Sequence, residues 1–366
     1  MLRCLRIAIV LAVSGFVSGT GPAFAEPMFL SKGETRCTSC HYSPTGGGLL
    51  TPYGRLQSRQ VLSTTGGDSE KFLWGALGDS LGPVDLGIDV RPTHLRVSFP
   101  GGTTTRRLLM NADLIGAVQA KGWTVYGEVG RRPEVAGGDI YSYEYWAGKQ
   151  VSREWAVRAG RFFPAYGIRF ADHTSYNRVA LGLDKYDQVF GVEVSHATQN
   201  RLVQISTGPG RAESVLNEPG RKAFTTSGRV QFDLNAKNIV VGSGIIRSES
   251  ERDVRNGAAG LAYGFSPASR FTVWTQADAR FRDETDGQSF LLVNETSVEA
   301  IRGVWLKFSP QLRTEAGAVP GFVRLKLEAN LLPRTHWNVD IAYYRDKNRR
   351  NGFVTHLLMS QLHLYL

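Results

Sequence analysis

From about residue 84 to the end of the chain, apolar and polar side chains alternate along short segments bounded by turn residues, and few helical periods appear. Leu95, Val97 and Phe99 interleave with His94, Arg96 and Ser98. Leu108, Met110, Ala112 and Leu114 oppose Arg107, Asn111 and Asp113, and Trp337, Val339, Ile341 and Tyr343 oppose His336, Asn338 and Asp340. Side chains of a strand point alternately to its two faces, so a period of two predicts strands between an oily and a wet environment.

The pattern predicts sixteen strands, at 86–99, 106–120, 123–131, 140–151, 154–162, 187–197, 201–208, 223–234, 238–247, 257–265, 269–281, 290–300, 303–309, 321–331, 335–345 and 354–366. The segment 303–309 also reads as the start of an amphipathic helix through Val304, Phe308 and Leu312, which sets a range of 14–18 strands. Tight links at 121–122, 152–153, 199–200, 235–237, 266–268 and 332–334 alternate with longer polar loops near 132–139, 163–186, 209–222, 248–256, 282–289, 309–320 and 346–353. Short turns on one side and long loops on the other mark an all-β fold, a transmembrane antiparallel up-and-down β-barrel of the outer-membrane type. An even strand number returns both ends of the barrel to the short-turn, periplasmic side.

Tyr141, Tyr143, Tyr145, Trp146, Trp155, Trp337, Tyr343, Tyr344 and Tyr365 lie in or beside these strands, as interface girdles do. A soluble β-sandwich would use the same aromatics as core. Yet roughly 280 residues of hairpins exceed the usual soluble all-β domain of about 200 to 250 residues. No apolar stretch of about 20 residues follows the amino terminus, which excludes a helical membrane protein.

Residues 1–25 read as a secretory signal peptide: basic Arg3 and Arg6, an apolar run from Ile7 to Val13, and an Ala23-Phe24-Ala25 cleavage pattern. Cleavage would remove Cys4 and leave 366 − 25 = 341 residues, with 43 − 2 = 41 basic against 33 acidic side chains, a formal +8. Neither sign is clustered and no recognition motif accompanies the charge, so no nucleic-acid partner is expected. The excess suits arginine-rich inner walls or anionic lipid head groups. The mature chain divides into a segment at 26–80 and the barrel at 81–366.

The segment 26–80 carries the chemistry. In Cys37-Thr38-Ser39-Cys40-His41 two thiols three positions apart are followed at once by an imidazole. C-x-x-C-H is the spacing of c-type haem attachment, with thioethers from both cysteines and the histidine as axial ligand. A redox disulfide or half of a metal site are the plainer readings. A thioredoxin-like motif needs a βαβ context, whereas Pro44 and Gly46-Gly47-Gly48 follow here, and a structural zinc wants a fourth ligand. Only a short helix, Tyr53 to Val61, is predicted in this segment. With few large apolar side chains it needs a staple such as haem c, or the support of the barrel.

Cys37 to His41 followed by Leu50-Thr51-Pro52-Tyr53-Gly54-Arg55 resembles the haem segment of bacterial outer-membrane barrel proteins fused to a short cytochrome c piece. Arg158 to Arg169, continuing to Asp172-His173-Thr174, is similar to their porin-like barrels. The resemblance implies one covalent haem c held by Cys37, Cys40 and His41, with His41 as the iron ligand. No methionine follows His41 within the segment, so a sixth ligand would come from Met28, His94, His173, His336 or His363, or be absent. Of these, His94, His336 and His363 are expected on inward faces. The 163–186 loop either enters the pore, with Arg169, Asp172, Arg178, Asp184 and Lys185 lining a constriction, or, more simply, is a solvated extracellular loop.

No nucleotide loop, nucleophile elbow or catalytic carboxylate pair is present. The expected function is electron transfer at the periplasm and outer membrane by a haem segment on the periplasmic side or in the barrel lumen, with the lipid bilayer and other periplasmic or extracellular cytochromes as partners. The alternative is a passive porin or solute channel with a structural or sensory haem. A haem peroxidase would further require an open iron position.

Overall fold

The computed structural model describes residues 27–66, 82–131, 140–170, 172, 174–183, 187–211, 222–249, 254–282, 288–314 and 320–365. The signal segment with Cys4, and His173, Asp184 and Lys185, lie outside the described residues.

Alternation resolves into antiparallel strands β1 (Val84–Phe99), β2 (Gly102–Ala120), β3 (Trp123–Arg131), β4 (Ile140–Tyr141), β5 (Tyr145–Gln150), β6 (Trp155–Phe162), β7 (Val189–Ala197), β8 (Arg201–Arg211) and β9 (Lys222–Asn235). They continue as β10 (Asn238–Glu249), β11 (Val254–Ala268), β12 (Phe271–Arg282), β13 (Ser289–Ile301), β14 (Val304–Thr314), β15 (Pro320–Leu331), β16 (Trp337–Asn348) and β17 (Val354–Tyr365). β4 and β5 both pair with β3 and form one interrupted stave, so the seventeen segments make sixteen staves. Each pairs with its sequence neighbours, and β17 closes on β1 with Asp89 opposite Tyr365 and Ser98 opposite His356. Closure leaves no unpaired edge, which a hydrocarbon setting demands.

All sixteen predicted strands are present. The doubtful 303–309 segment is β14, because its side chains follow a period of two: Trp305, Lys307, Ser309 and Gln311 are buried inside, while Leu306 and Phe308 are exposed outside. Throughout the wall the pattern is inverted from that of a water-soluble protein. Gln204, Gln231, Gln276 and Glu193 are fully buried, whereas Leu114, Val125, Ile205 and Leu261 lie open on the outer surface. Trp123, Trp155 and Tyr263 are exposed towards the short-turn rim, and Tyr145, Phe190, Phe224 and Phe290 towards the other. Trp146 and Tyr344, expected in the girdles, are instead buried on the inner face.

Two further expectations are corrected. Strict alternation through β2 fails, because Val90 pairs with Ala112 and Pro92 with Leu109, setting two steps on β1 against three on β2. Asn111 and Asp113 keep the inner face as expected, with Asn111 donating to Asp89 Oδ1 at 2.8 Å, but beside the extra residue Met110 also faces inward, where it accepts from Gln361 Nε2. His94 was expected to face inward. It follows the buried Thr93, which accepts from Gln361 inside, and so stands on the outer face.

The lumen holds two inserts. Residues 27–66 run through a 3-10 turn (Pro27–Lys32), a helical turn (Cys37–Cys40), a helix (Pro52–Gln57) and a π-type turn (Ser58–Leu62), the last two covering the predicted 53–61 helix. Leu30 is buried among Trp274, Ile239 and Val293 of the wall; Tyr42 and Leu49 pack with Tyr126, Trp146 and Phe162; and Met28 packs with Trp305 and Leu332. Polar anchors tie the same segment to the short-turn end. Arg36 donates to Thr198 O and pairs with Asp233, Thr64 N–H donates to Leu332 O, and Arg302 donates to Ser63 O.

The second insert is formed by the described residues between Phe163 and Gln188 (163–170, 172, 174–183 and 187–188), which fold into the barrel and not outward as a solvated loop. Its aromatic side chains drive this: Phe163, Tyr166, Phe170 and Tyr176 are buried. Its backbone is satisfied by wall side chains, with Ala165 N–H donating to Ser206, Gly167 N–H to Ser243, Ile168 N–H to Gln276 and Tyr176 N–H to Gln311.

Candidate functional site

Cys37 to Cys40 form a single helical turn, closed by the His41 N–H donating to Cys37 O at 2.9 Å. Residues 41 and 50 then pair as an antiparallel bridge, with Tyr42 N–H donating to Leu49 O at 3.1 Å. The helix Pro52–Gln57 folds back on the turn: proline occupies its first turn, and the Thr51 hydroxyl caps it by accepting from Gly54 N–H at 3.1 Å. The same hydroxyl donates to Ser39 O, and Thr51 N–H donates to Cys40 O at 2.9 Å. Gly54 permits this closeness, since a Cβ there would stand 2.3 Å from Cys40 O. The Pro52-Tyr53-Gly54 run beside C-x-x-C-H therefore acts as the clamp that shapes the turn.

Neither thiol is in a disulfide and both are partly accessible, while the His41 ring is deeply set beside the Gly47 and Gly48 backbone. Burial, with the Arg169 guanidinium nearby, pushes the imidazole down to about 4, so the ring is neutral at ordinary pH. Its Nδ1 is buried without a hydrogen-bond partner. Cys37 lines a cavity shared with Thr45, Arg169, Arg178, Gln204 and Arg229. Two thiols on one turn, a neutral imidazole with an unsatisfied nitrogen and an adjoining cavity fit a covalent haem c in donor type. Among the described residues no group of three or more His, Cys, Asp or Glu side chains gathers into a separate metal site.

The turn lies inside the barrel wall: Cys37 lines one cavity with Arg229, the eighth of the fourteen residues of β9. The second insert meets the segment here: Arg169 donates to Gly46 O at 2.8 Å, lies 3.8 Å from Glu144 and stacks on Phe163. Ser43 donates to the same Glu144 at 2.8 Å. Asp172 pairs with Lys326 at 3.3 Å, and Arg178 donates to Phe170 O at 3.0 Å. Arg169, Asp172 and Arg178 thus lie inside the barrel as the constriction reading requires.

The sequence-derived sixth ligands are dispersed. Met28 packs with Trp305 and Leu332, His336 is buried in the β15–β16 turn beside Tyr365, and His363 pairs with Asp89 at 3.2 Å. Sequence reasoning missed Glu144, Gln204, Arg229 and Gln231. The only signal for them was polar character at inward positions, as in Arg229, Gln231 and Asp233 at every second residue.

No protein-family model matches the chain, and no curated protein matches it in sequence. Solved structures do match in shape. OprB of Pseudomonas putida superposes with a TM-score of 0.62 at 9% identity, covering 85% of this chain and 100% of its own. An anion-selective porin from Comamonas acidovorans gives 0.58 at 11% identity, covering 77% and 99%. The outer membrane channel DcaP of Acinetobacter baumannii gives 0.55 at 9% identity, covering 78% and 99%. The chain has the porin-like barrel fold of outer-membrane proteins.

Proposed function

We propose that this protein sits in the outer membrane as a porin-type solute channel, restricted by two lumenal inserts, one of which carries a structural c-type haem. The observation that carries the reading is the insertion of residues 163–188 across a sixteen-stave barrel, against a segment anchored at the short-turn end. Sixteen-stranded barrels of this kind enclose an aqueous passage, and inward-folded side chains set what it admits. Fold similarity to porins and channels supports the bilayer setting and the channel class.

Within the segment, Cys37 and Cys40 would hold the haem through thioethers and His41 would supply an axial nitrogen; once bound, the group brings one-electron chemistry. Gly54 and Thr51 keep the turn closed, and Tyr126, Trp146 and Phe162 pack on Tyr42 and Leu49 of the chain that follows it. The test compares liposome conductance of wild type and the Cys37→Ala/Cys40→Ala variant, with haem-stained gels of both. A porin-like conductance, and a wild-type band that alone stains, is the expected result. No conductance from either protein would end the channel reading, and an unstained wild-type band would end the haem assignment.

Electron transfer is the second reading, favoured by Cys37 lining a lumenal cavity together with Arg229 of the β9 inner face. The hydrocarbon core is about 30 Å thick, so a centre held inside the barrel has less than the full span to bridge to either face. Reduction of an external acceptor by wild-type proteoliposomes, lost in the double cysteine variant, is the result this reading requires.

A further inference from the structure

The cavity beside Cys37 contains a buried cation with no anion. Arg229 is buried on the inner face of β9, and its guanidinium donates only to neutral oxygens: Nε to Gly167 O at 2.9 Å, Nη1 to Gln204 Oε1 at 3.1 Å and Nη2 to Gln231 Oε1 at 2.6 Å. The two carboxylates whose charges act on it serve other cations, since Asp233 pairs with Arg36 at 3.0 Å and Glu193 with Arg158 at 2.9 Å. Among the described residues no carboxylate oxygen lies within 4.0 Å of Arg229. Gln204, only 1% exposed, lines the same cavity, and its Nε2 is buried without a hydrogen-bond partner.

A buried guanidinium and a buried amide donor, both short of acceptors, cost free energy that an anion would recover. A guanidinium has five N–H donors, and three are used here. The remaining pair and the Gln204 amide face a cavity also lined by Thr45 and Arg169. Planar two-oxygen acceptors match a guanidinium best.

We propose that Arg229 and Gln204 form a buried carboxylate-binding site at the constriction. Two sources share this chemistry: a propionate of the attached haem, and the carboxylate of a solute in the passage. The site stands without the haem assignment and takes its ligand from whichever source is present.

The experiment uses full-length protein in detergent and follows saturable binding of carbon-13-labelled acetate by NMR. A heat-dependent gel shift checks that each barrel is folded. The Cys37→Ala/Cys40→Ala protein is expected to bind acetate saturably. Adding Arg229→Gln weakens binding at least tenfold, Gln204→Leu weakens it several-fold, and Arg229→Lys retains most of it. Loss of acetate binding in haem-stained wild type identifies the propionate as the native occupant. Equal binding in wild type identifies a solute, and if the wild-type band also fails to stain, the haem assignment fails while this site stands. Absence of saturable binding in the double cysteine variant, or unchanged binding after Arg229→Gln in a folded barrel, overturns the proposal.

Discussion

Docking of the 27–66 segment should depend on one buried charge pair. Arg55, 6% exposed, donates from Nη1 to Leu50 O at 3.1 Å and from Nη2 to Asp85 Oδ1 at 2.5 Å, where Tyr42 also donates its hydroxyl to the same carboxylate. Both partners are nearly dry, with side-chain exposures of 7% and 11%, so solvent screens the pair little. Arg55→Ala removes the cation and leaves the Asp85 carboxylate held by Tyr42 alone. Breaking a buried pair in this way costs about 3–5 kcal/mol. At about 1.4 kcal/mol per tenfold, the undocked population should rise by roughly 150-fold to a few thousand-fold. The assay is limited trypsin cleavage of the folded barrel, followed at Arg36 and Arg59, together with open-channel conductance in planar bilayers. Faster cleavage and more frequent openings are expected. Arg55→Met/Asp85→Leu should recover most of the protection, because apolar replacement of both partners removes the stranded charge. Unchanged cleavage and conductance in Arg55→Ala would refute the idea that this pair anchors the segment.

Gly54→Ala places a Cβ 2.3 Å from Cys40 O and should cost about 1–3 kcal/mol locally, lowering haem staining several-fold while the heat-shifted barrel band persists. Gly167 sits at φ +50 with Gln276 Nε2 2.6 Å from where a Cβ would be, so Gly167→Ala should lift the constriction and raise single-channel conductance. Burial pushes Glu34 up to about 7 despite the Tyr53 hydroxyl donated to its Oε1, and its Oε2 is buried without a partner. A raised carboxyl contributes stability that is complete below its ordinary value near 4.5 and is lost as pH rises through about 7. Glu34→Gln should therefore slow trypsin cleavage of the segment at pH 8 and change little at pH 4; equal effects at both would exclude titration of Glu34 as the cause.

What could be read from the chain depended on how local the cause was. Period-two alternation is written in consecutive residues, so each stave appeared at its place, including β14, where Leu306 and Phe308 alternate with Trp305 and Lys307. Loop lengths are equally local, which made the two-ended barrel legible. Where a local rule was broken by a neighbour, the reading failed. The extra residue opposite Val90 and Pro92 exists only in the pairing of β2 with β1, and beside it Met110 turns inward against strict alternation.

The C-x-x-C-H motif is legible because it spans five consecutive residues, whereas the role of Gly54 as its clamp appears only in the close approach of the helix to Cys40 O. The motif's surroundings are no more legible. Whether 163–188 faces solvent or the lumen depends on Ser206, Ser243, Gln276 and Gln311 waiting on four separate staves to satisfy its backbone. Arg229 becomes a site only because closure of the barrel sets it opposite Gly167 and Gln204 while Arg36 and Arg158 take the nearby carboxylates. The sequence by itself determined the strands and, away from the irregular pairing of β1 with β2, their faces, since these depend on neighbours a few positions apart. The tertiary structure alone decided what fills the lumen, because filling brings together side chains one to two hundred residues apart, and burial and charge act through space without regard to that separation.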